Sequence, residues 1–448
     1  MNEKDSKNLS FQVENGTNEH KLEMNYRYFT KTPKSKICFS ILVHNDRELV
    51  KELIHNIRYF CPNSTFVLFN GGDDPSLCND LGVPVCPTSR KLSYGFTTIY
   101  FLETMEWIEE LGIDYDYFVN IDSDALFIKD GYENVIANEM RDVDYMAVLL
   151  RIPEPNWQIG LYLRKDIDRW RKLFSLDPYY GVFNVGQVIK RPLVKALLEP
   201  GKKETYKKTL SETISHGSDE IFYVNMAKEL GFKMKKYPFV DDSVINRYRP
   251  HFTLGEIIDS INNKEFSGLC HPIYRYPGNP ARKLIRHLAY NCMIEKYRHK
   301  NYPWYESDEL NYAPSLPIVS KFGNQEIIVR SGNTLAHYWE HRRTKSWDKT
   351  EAFAKGVKGV PIFHSNPTRD FEVVCMLENG GIGYWWRENT ANGFPWHGPY
   401  LIVQENAEPV MLDQLDDERN ILVCKLNGKL VYWVGSKDKK WVKEAPLQ

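Results

Sequence analysis

The sequence is notable first for several features that it lacks. No stretch of its 448 residues reaches the roughly 18 consecutive apolar residues that a membrane-spanning helix needs. Residues 1–34 are polar and contain no apolar segment of the kind found in signal peptides. The eight cysteines form no C-x-x-C pair and have no regular spacing, which argues against a zinc site or a disulfide framework. We therefore expect a cytoplasmic protein with a disordered tail over residues 1–34.

Net charge, length and composition limit the number of domains and the kinds of molecule that the protein is expected to bind. A formal net charge of −1 gives no basis for binding nucleic acid. At 448 residues the chain exceeds the usual size of one compact domain, so we expect two or more. Aromatic residues make up 13% of the sequence and include 11 tryptophans. This content favours either surfaces that face carbohydrate or tryptophan-bearing repeats.

Apolar strand-like runs alternate with helical patterns in the first 300 residues. The alternation predicts an α/β domain over residues 35–300, with a mostly parallel sheet and helices on both faces. Ligands of such sheets bind outside the carboxyl ends of the strands. The pattern consists of a strand at 37–43, a helix at 45–60, a strand at 65–69, a helix at 97–111 and a strand at 117–121.

Asp122 and Asp124 stand at the end of the apolar run 115–121 and precede a second apolar run, 125–128. Two carboxylates that leave a buried strand at its carboxyl end can hold a hard divalent cation against a diphosphate. Such a D-x-D pair is typical of nucleotide-sugar transferases. The alternative is a solvated turn at a strand end. Spacing alone does not single out this pair, because the same spacing recurs at Asp114/Asp116, Asp142/Asp144 and Asp166/Asp168.

Two other strand ends carry polar residues. His44 and Asn45 follow the first predicted strand, and the segment from Asn70 to Asp73 follows the second. Because the carboxyl ends of parallel strands meet at one edge, we expect these four side chains to bind the nucleotide together with Asp122.

A second acidic pair, Asp219 and Glu220, opens a helical pattern at residues 221–230. One interpretation is structural, with Ser218 as the helix cap and two acids stabilised in the first turn. The other is catalytic, because an inverting glycosyl transfer needs a carboxylate base aimed at the acceptor hydroxyl. The aromatic and amide side chains of residues 183–187 precede this pair and suit either a sugar ring or core packing.

His271 follows a short apolar segment and is predicted as a third metal ligand, although a single histidine is often structural. Arg275 and Arg282 follow it and could pair with phosphate oxygens. Residues 281–300 have a basic amphipathic helical pattern, which fits packing against the sheet or contact with an anionic membrane. Prolines then predict a linker at 301–320.

Residues 321–448 contain an internal repeat. Trp339, Trp386 and Trp433 are each separated by 47 residues and belong to aromatic strands that follow short apolar strands. This period is in the range of propeller blades. We therefore expect an all-β domain with Trp386 and Trp433 in the core.

The segments 371–374, 384–389 and 395–399 resemble the repeat of fucose-binding bacterial propeller lectins. The resemblance implies carbohydrate binding, with Trp396 and His397 best placed to meet a sugar. Three copies are fewer than the seven blades of that family. A three-fold closed unit or a ring completed by a second chain would hide the exposed edges, so we predict a homo-oligomer or a glycan-binding module.

The N-terminal domain resembles GT-A glycosyltransferases, and within them the core-2/I-branching N-acetylglucosaminyltransferases and peptide O-xylosyltransferases. The resemblance covers residues 36–275 and rests on the segments 37–45 and 115–121 and on Ser218-Asp219-Glu220 with Phe222. It implies that Glu220 is the catalytic base and that the donor is linked to UDP. The chain differs in having Ser218 where the family usually has proline. It also has a D-x-D pair where the branching enzymes have none and need no metal, so we expect Mn²⁺ or Mg²⁺.

The sequence thus predicts a metal-dependent inverting glycosyltransferase with a nucleotide-sugar donor and a glycan or glycoconjugate acceptor. One alternative is a carbohydrate-binding protein whose transferase-like domain is inactive. Another is a nucleotidyltransferase, which would release pyrophosphate instead of a nucleoside diphosphate.

Overall fold

The computed structural model describes residues 36–448 except 239–246, 266, 309, 367–369, 417, 437–438 and 445–448. The tail that we predicted to be disordered lies outside the described residues. None of the helices within the described ranges is both long and apolar enough to cross a membrane.

Within the described part of the first 300 residues there are eight strands and eleven α-helices, with short 3₁₀ turns at Arg164–Asp166, Ser218–Glu220 and Glu295–Tyr297. The strands are β1 (Ile37–Val43), β2 (Thr65–Asn70), β3 (Tyr117–Asp122), β4 (Leu126–Phe127), β5 (Tyr145–Ala147), β6 (Val188–Lys190), β7 (Met234–Lys236) and β8 (Leu269–Cys270). The helices are α1 (Arg47–Phe60), α2 (Ile99–Glu110), α3 (Tyr132–Glu139), α4 (Gln158–Leu163), α5 (Ile167–Trp170), α6 (Arg191–Leu197), α7 (Lys202–Glu212), α8 (Phe222–Glu229), α9 (Leu254–Asn262), α10 (Pro280–Leu288) and α11 (Tyr290–Ile294).

The main sheet has six strands in the order β2-β1-β3-β6-β5-β7, and β6 alone among these six runs antiparallel to its neighbours. All seven residues of β1 are buried, because helices cover both faces of the sheet. Phe39 and Ile41 pack on the side of α1, whereas Cys38 and Leu42 pack on the side of α2 and α8. This arrangement confirms the predicted fold class, an α/β domain with a mostly parallel sheet and helices on both faces, followed by an all-β region.

The C-terminal region consists of three antiparallel sheets. We name them the first repeat sheet (β9–β14), the second repeat sheet (β15–β18) and the third repeat sheet (β19–β22). Their strands are β9 (Tyr312–Pro314), β10 (Ile318–Val319), β11 (Gln325–Ser331), β12 (Thr334–Glu340), β13 (Trp347–Lys349), β14 (Ala354–Lys355), β15 (Val357–Ser365), β16 (Phe371–Leu377), β17 (Ile382–Arg387), β18 (Trp396–Val403), β19 (Glu408–Gln414), β20 (Asn420–Leu426), β21 (Lys429–Ser436) and β22 (Lys439–Glu444).

The repeat sheets are stacked, so that the second lies between the first and the third. On β16, Val373 packs toward the first sheet and Val374 toward the third. On β20, Leu422 packs toward the second sheet, whereas Ile421 and Val423 join the core of the α/β domain. Burial on both faces explains why these strands are continuous apolar runs without polar alternation.

Each junction between repeat sheets also contains a buried carboxylate at the second residue of a strand. Glu326 accepts a hydrogen bond at 2.7 Å from His337, whose other ring nitrogen lies 3.1 Å from Arg387 of the second sheet. Glu372 accepts bonds from Tyr384 at 2.9 Å and from Asn420 of the third sheet at 2.8 Å. The corresponding residue of the third sheet is Ile421, because that face meets helices and not another sheet.

Both outer faces of the stack are covered by the chain itself. The third repeat sheet packs on α9 and α10, and the residues that it contributes to that core are Met411, Ile421, Val423, Leu430, Tyr432 and Val434. The first repeat sheet packs its outer face, including Ile327 and Val329, on Ile294, Tyr297 and Trp304. The predicted linker, residues 301–320, contains β9 and β10, and β9 pairs with β11.

Candidate active site

The first three strands end at one edge of the main sheet. In the strand register, Leu42 of β1 pairs with Asp122 of β3, and Val43 pairs with Asn70 of β2. His44, which follows β1 directly, is therefore carried to the same edge as the acidic pair. The structure thus brings the predicted nucleotide-binding turns and the D-x-D pair together at the carboxyl ends of parallel strands.

The turn after β2 is held closely against His44. A Cβ atom on Gly72 would lie 2.1 Å from the His44 carbonyl oxygen, so only glycine allows this approach. The Asn70 side chain accepts a bond from the Gly72 amide at 3.0 Å and donates to the Asp74 carbonyl at 2.8 Å. Asp73 is exposed and forms an ion pair with Lys91 at 2.6 Å. Asn70 therefore shapes the turn, and Asp73 is engaged by a neighbouring lysine.

His44 and Asn45 lie in different environments. His44 is partly buried, and burial lowers the pKa of its imidazole, an effect to which the nearby charge of Arg275 adds. The charge of Asp124 raises the pKa of His44, so His44 is close enough to the acidic pair to interact with it electrostatically. Asn45 is exposed.

A two-stranded ladder brings His271 to the acidic pair. Residues Leu126 and Phe127 of β4 pair with Cys270 and Leu269 of β8, so the residue after β8 lies beside the residue before β4. The Asp124 carbonyl also accepts a bond from the Ile273 amide at 2.8 Å. His271 is thereby placed with its Nε2 atom 3.2 Å from Asp124 Oδ1.

Asp122, Asp124 and His271 form a group that could hold a divalent metal. One ligand atom of each lies within 4.8 Å of the other two. Two carboxylates and an imidazole are a suitable donor set for Mn²⁺, and the carboxylates are suitable for Mg²⁺. Asp124 and His271 are buried at 3% and 6% exposure, so the group is held inside the protein and is not a loose surface cluster.

The two carboxylates differ electrostatically. Burial, with the charge of Asp124 added, raises the pKa of Asp122. Burial works in the same direction on Asp124, but His271 and Arg275 outweigh it and hold its pKa below the ordinary value. Arg275 lies with Nη2 2.9 Å from Asp124 Oδ1 and donates from Nε to the Ser123 hydroxyl at 3.0 Å. The site therefore contains a cation that can reach a bound anion.

Asp219 is buried and faces the same edge of the sheet. Its Oδ2 accepts bonds from Thr97 and Asn184, both at 3.2 Å. Burial raises the pKa of the Asp219 carboxyl, and its charge is near enough to raise the pKa of Asp122. Gln187 donates to the Asp219 carbonyl at 2.9 Å, which ties the amide segment 183–187 to this turn.

Glu220 is less enclosed than Asp219. Its side chain is partly exposed at the 3₁₀ turn Ser218–Glu220, whose preceding residue Gly217 has a positive φ of 73°. Burial, together with the charge of Asp219, raises the pKa of Glu220 to about 8, and Arg151 acts against this shift. Ser218, predicted as a possible cap, instead has its hydroxyl 2.7 Å from that of Thr98.

An aromatic rim beside Glu220 was not predicted from the sequence. The hydroxyls of Tyr94 and Tyr248 lie 3.0 Å apart, and both side chains are mostly exposed. The bond to Tyr248 and, to a smaller extent, the charge of Glu220 raise the pKa of Tyr94 to about 12. Further along the rim, His251 stacks on Tyr274 with ring centroids 3.7 Å apart. These tyrosines lie far apart in sequence and follow no pattern that marks them.

Comparison with known proteins gives limited information. No family model matches the chain, and no curated protein matches it. Among solved structures, the galactosyltransferase LgtC in complex with donor and acceptor sugar analogs is 12% identical, with a TM-score of 0.32. The match covers 57% of this chain and 95% of that chain. An active-site mutant of LgtC is 13% identical, with the same coverage and TM-score. Likeness at this level does not bear on substrate or mechanism.

Proposed function

We propose that the protein is an inverting glycosyltransferase that transfers a sugar from a UDP-linked donor to a hydroxyl of a carbohydrate or glycoconjugate. The observation that supports this most directly is the group Asp122, Asp124 and His271 at the carboxyl edge of the sheet. Asp219 acts electrostatically on that group, and Glu220 follows it in the same turn. This proximity of a possible metal-binding group and a candidate base supports the proposal.

The donor side is assigned to the strand ends. His44, Asn45 and Asn70 border the nucleotide, and Arg275 pairs with the diphosphate. A divalent cation, Mn²⁺ or Mg²⁺, held by Asp122, Asp124 and His271 would neutralise charge on the leaving diphosphate.

The acceptor side is assigned to Glu220 and the aromatic rim. The carboxylate of Glu220 removes the proton from the acceptor hydroxyl as the oxygen of that hydroxyl bonds to the anomeric carbon of the donor sugar. The bond from that carbon to the diphosphate oxygen breaks, and its electron pair leaves with UDP. Tyr94 and Tyr248 offer exposed ring faces for an acceptor sugar next to this base.

A panel of nucleotide sugars tests this function directly. We expect hydrolysis of a UDP-linked sugar in the presence of Mn²⁺, release of UDP without pyrophosphate, and inversion at the anomeric carbon by NMR once an acceptor is found. Asp124→Asn should be inactive and is the matched control. Release of pyrophosphate would instead indicate a nucleotidyltransferase, and a retained anomeric configuration would remove the role of Glu220 as base.

One set of contacts favours the second candidate, a carbohydrate-binding protein with an inactive transferase-like domain. Asp73 is paired with Lys91, the Asn70 side chain is used within its turn, and Asp124 contacts Arg275. Under this function no nucleotide sugar would be hydrolysed, and glycans would still bind the full-length protein on an array.

Carbohydrate binding by the repeat sheets is a separate part of the proposal. The Trp396 ring stacks on Phe353 with centroids 4.0 Å apart, and the His397 ring stacks on Trp386 at 4.2 Å. Trp396 also has the Arg387 guanidinium 5.7 Å from its ring centroid. Alanine in place of both Trp396 and His397 should abolish any glycan-array signal if these two residues meet the sugar.

A further inference from the structure

Arg282 is a fully buried arginine that contacts both of the segments that carry the proposed metal ligands. Its exposure is 0%. One Nη atom donates to the Ser123 carbonyl at 3.2 Å, between the two aspartates, and Nε donates to the Tyr274 carbonyl at 2.5 Å, next to Arg275. A single guanidinium therefore fastens the acidic loop to the segment that carries His271 and Arg275.

The third contact of Arg282 extends this link to α1. Its other Nη atom lies 3.0 Å from Glu52, a buried carboxylate on the helix that follows His44 and Asn45. Burial of a carboxylate is costly unless it is paired, and burial does raise the pKa of Glu52 while Arg282 and Arg286 lower it. Three donors in a planar fork are needed to satisfy these three acceptors at once, which a lysine ammonium cannot reproduce in the same geometry.

Arg282 is placed by the start of α10. Asn279 caps this helix by accepting bonds from the amides of Ala281 and Arg282, and Pro280 occupies the first turn. The next residue, Lys283, lies on a neighbouring face and forms an ion pair at 2.5 Å with Asp413 of the third repeat sheet. Asp413 is 3% exposed, so its carboxylate depends on this partner.

We propose that Arg282 is a positioning residue for the donor site, and that the third repeat sheet acts on that site through α10. The repeat region is then part of the machinery that binds the donor. The choice of UDP and Mn²⁺ as ligands rests on the proposed function. The contacts of Arg282 do not depend on that function. A purely structural role for Arg282 would lower stability and leave the affinity of the folded protein unchanged.

The test uses full-length protein and four variants: Arg282→Lys, Arg282→Met, Asp413→Asn and the control Arg286→Met. Arg286 is on the same face of α10, donates to the Pro277 carbonyl and lies 3.8 Å from the second carboxylate oxygen of Glu52, but it does not contact the acidic loop. The control therefore removes a positive charge beside Glu52 and leaves both contacts of Arg282 with the loop and with the Tyr274 carbonyl in place. We measure the affinity for UDP with Mn²⁺ by calorimetry, amide hydrogen exchange of residues 118–128, and Tm.

Arg282→Lys should weaken UDP binding by about 10- to 100-fold, the range typical of residues that orient metal ligands. Exchange at residues 122–125 should rise in this variant, because the Ser123 carbonyl loses its partner. Asp413→Asn should change both readouts in the same direction by a smaller factor. Arg286→Met should resemble the wild type in both.

Two results would overturn the inference. The first is that both Arg282→Lys and Arg282→Met fold and show wild-type amide exchange at residues 122–125 and wild-type affinity for UDP. The other is exchange that rises equally throughout α10 and the repeat sheets, which is the signature of general destabilisation. If the wild type binds no nucleotide, the proposed function fails, and the exchange data alone decide whether Arg282 holds the loop.

Discussion

At the scale of single residues, the surroundings of Glu220 set a pH dependence for the proposed reaction. Burial and the charge of Asp219 raise the pKa of Glu220 to about 8. A general base must be ionised, so kcat/KM should rise about tenfold per pH unit below 8 and level off above it. A pH–rate profile between pH 6 and 9 measures this. A profile that is flat across this range would contradict the assignment.

Replacing the proposed base removes that dependence. Glu220→Gln keeps the size of the side chain but cannot accept the proton, so turnover should fall by about 10²- to 10⁴-fold with donor binding nearly unchanged. Asp219→Asn should be mild by comparison. If Asp219→Asn is the more damaging change, the base was assigned to the wrong neighbour. If neither variant matters, the inverting mechanism is wrong.

The proposed metal-binding group of Asp122, Asp124 and His271 leads to a further prediction about single residues. EDTA should abolish donor hydrolysis, and Asp124→Asn should do the same because it removes a buried ligand. Asp168→Asn is the control, since Asp168 belongs to another D-x-D pair but is exposed and pairs with Arg171 at 3.2 Å. Equal losses of donor hydrolysis in the two variants would show that Asp122 and Asp124 are not the metal-binding pair.

Part of this site could be predicted from sequence. Asp122 and Asp124 were recognisable because apolar strands flank them, and His271 because it ends an apolar segment. The role of Arg282 could not be predicted, since its partner Glu52 is 230 residues away and nothing in the local pattern connects them. The sequence suggested a phosphate-binding arginine, whereas the structure buries this side chain completely.

At the scale of elements, the contact between α10 and the repeat sheets contains one buried histidine, His364, and one partly buried histidine, His287. Burial, with Arg286, Lys283 and His364 nearby, lowers the pKa of His287 to about 3. Burial also lowers the pKa of His364 to about 4, against the effect of Asp413. Both histidines bind protons more readily when the protein unfolds. Their contribution to stability is therefore complete above about pH 6.5 and is lost as the pH falls toward 4.

We accordingly expect Tm to fall steadily between pH 6.5 and pH 4. The double variant His287→Gln, His364→Gln should show a shallower fall over this range, because the two groups no longer take up protons on unfolding. Calorimetry at half-unit pH steps measures both curves. Parallel curves for the variant and the wild type would show that other groups cause the acid sensitivity.

The elements of the α/β domain that were predicted are those that form a single apolar run or stripe. Strand β1 has the predicted bounds, 37–43, and the helix predicted at 97–111 is α2, Ile99–Glu110. The helix predicted at 281–300 is divided into α10, α11 and a 3₁₀ turn. The apolar spacing continues across the breaks, although α10 packs in the core of the α/β domain while α11 and the turn pack against the first repeat sheet, so periodicity alone did not reveal the breaks.

At the scale of the whole molecule, the α/β domain and the third repeat sheet share one hydrophobic core. The sequence analysis placed residues 35–300 and 321–448 in separate domains joined by a linker, an organisation in which the first domain would fold without the repeats. Removal of residues 321–448 would take the six buried side chains of the third repeat sheet out of this core and uncover apolar surface of the α/β domain, each buried side chain being worth roughly 1.5–3 kcal/mol. We now expect this fragment to aggregate or to have a much lower Tm. A soluble fragment with wild-type Tm would contradict this.

The predicted homo-oligomer has little support from this arrangement. The argument from sequence was that three repeats leave exposed sheet edges, which a closed three-fold unit or a second chain would hide. The structure shows a stack of sheets instead of a closed ring, and the outer faces of that stack are already covered. In the described residues, α9 and α10 cover one end of the stack, and the segment from Ile294 to Trp304 covers the other. Sequence could identify the three repeats but not their covering, because a strand that is apolar on both faces does not indicate what packs on it.

The closure of the stack at both ends has a consequence for how this chain can change over evolutionary time. In open repeat arrays a unit can be duplicated or deleted, because each unit contacts only its neighbours. Here the first and last units are each fitted to a different part of the α/β domain. A fourth unit inserted after the third would place a sheet where α10 now lies, and would separate Lys283 from Asp413. Repeat number in this protein should therefore be fixed at three, and natural length variation should be confined to loops between strands.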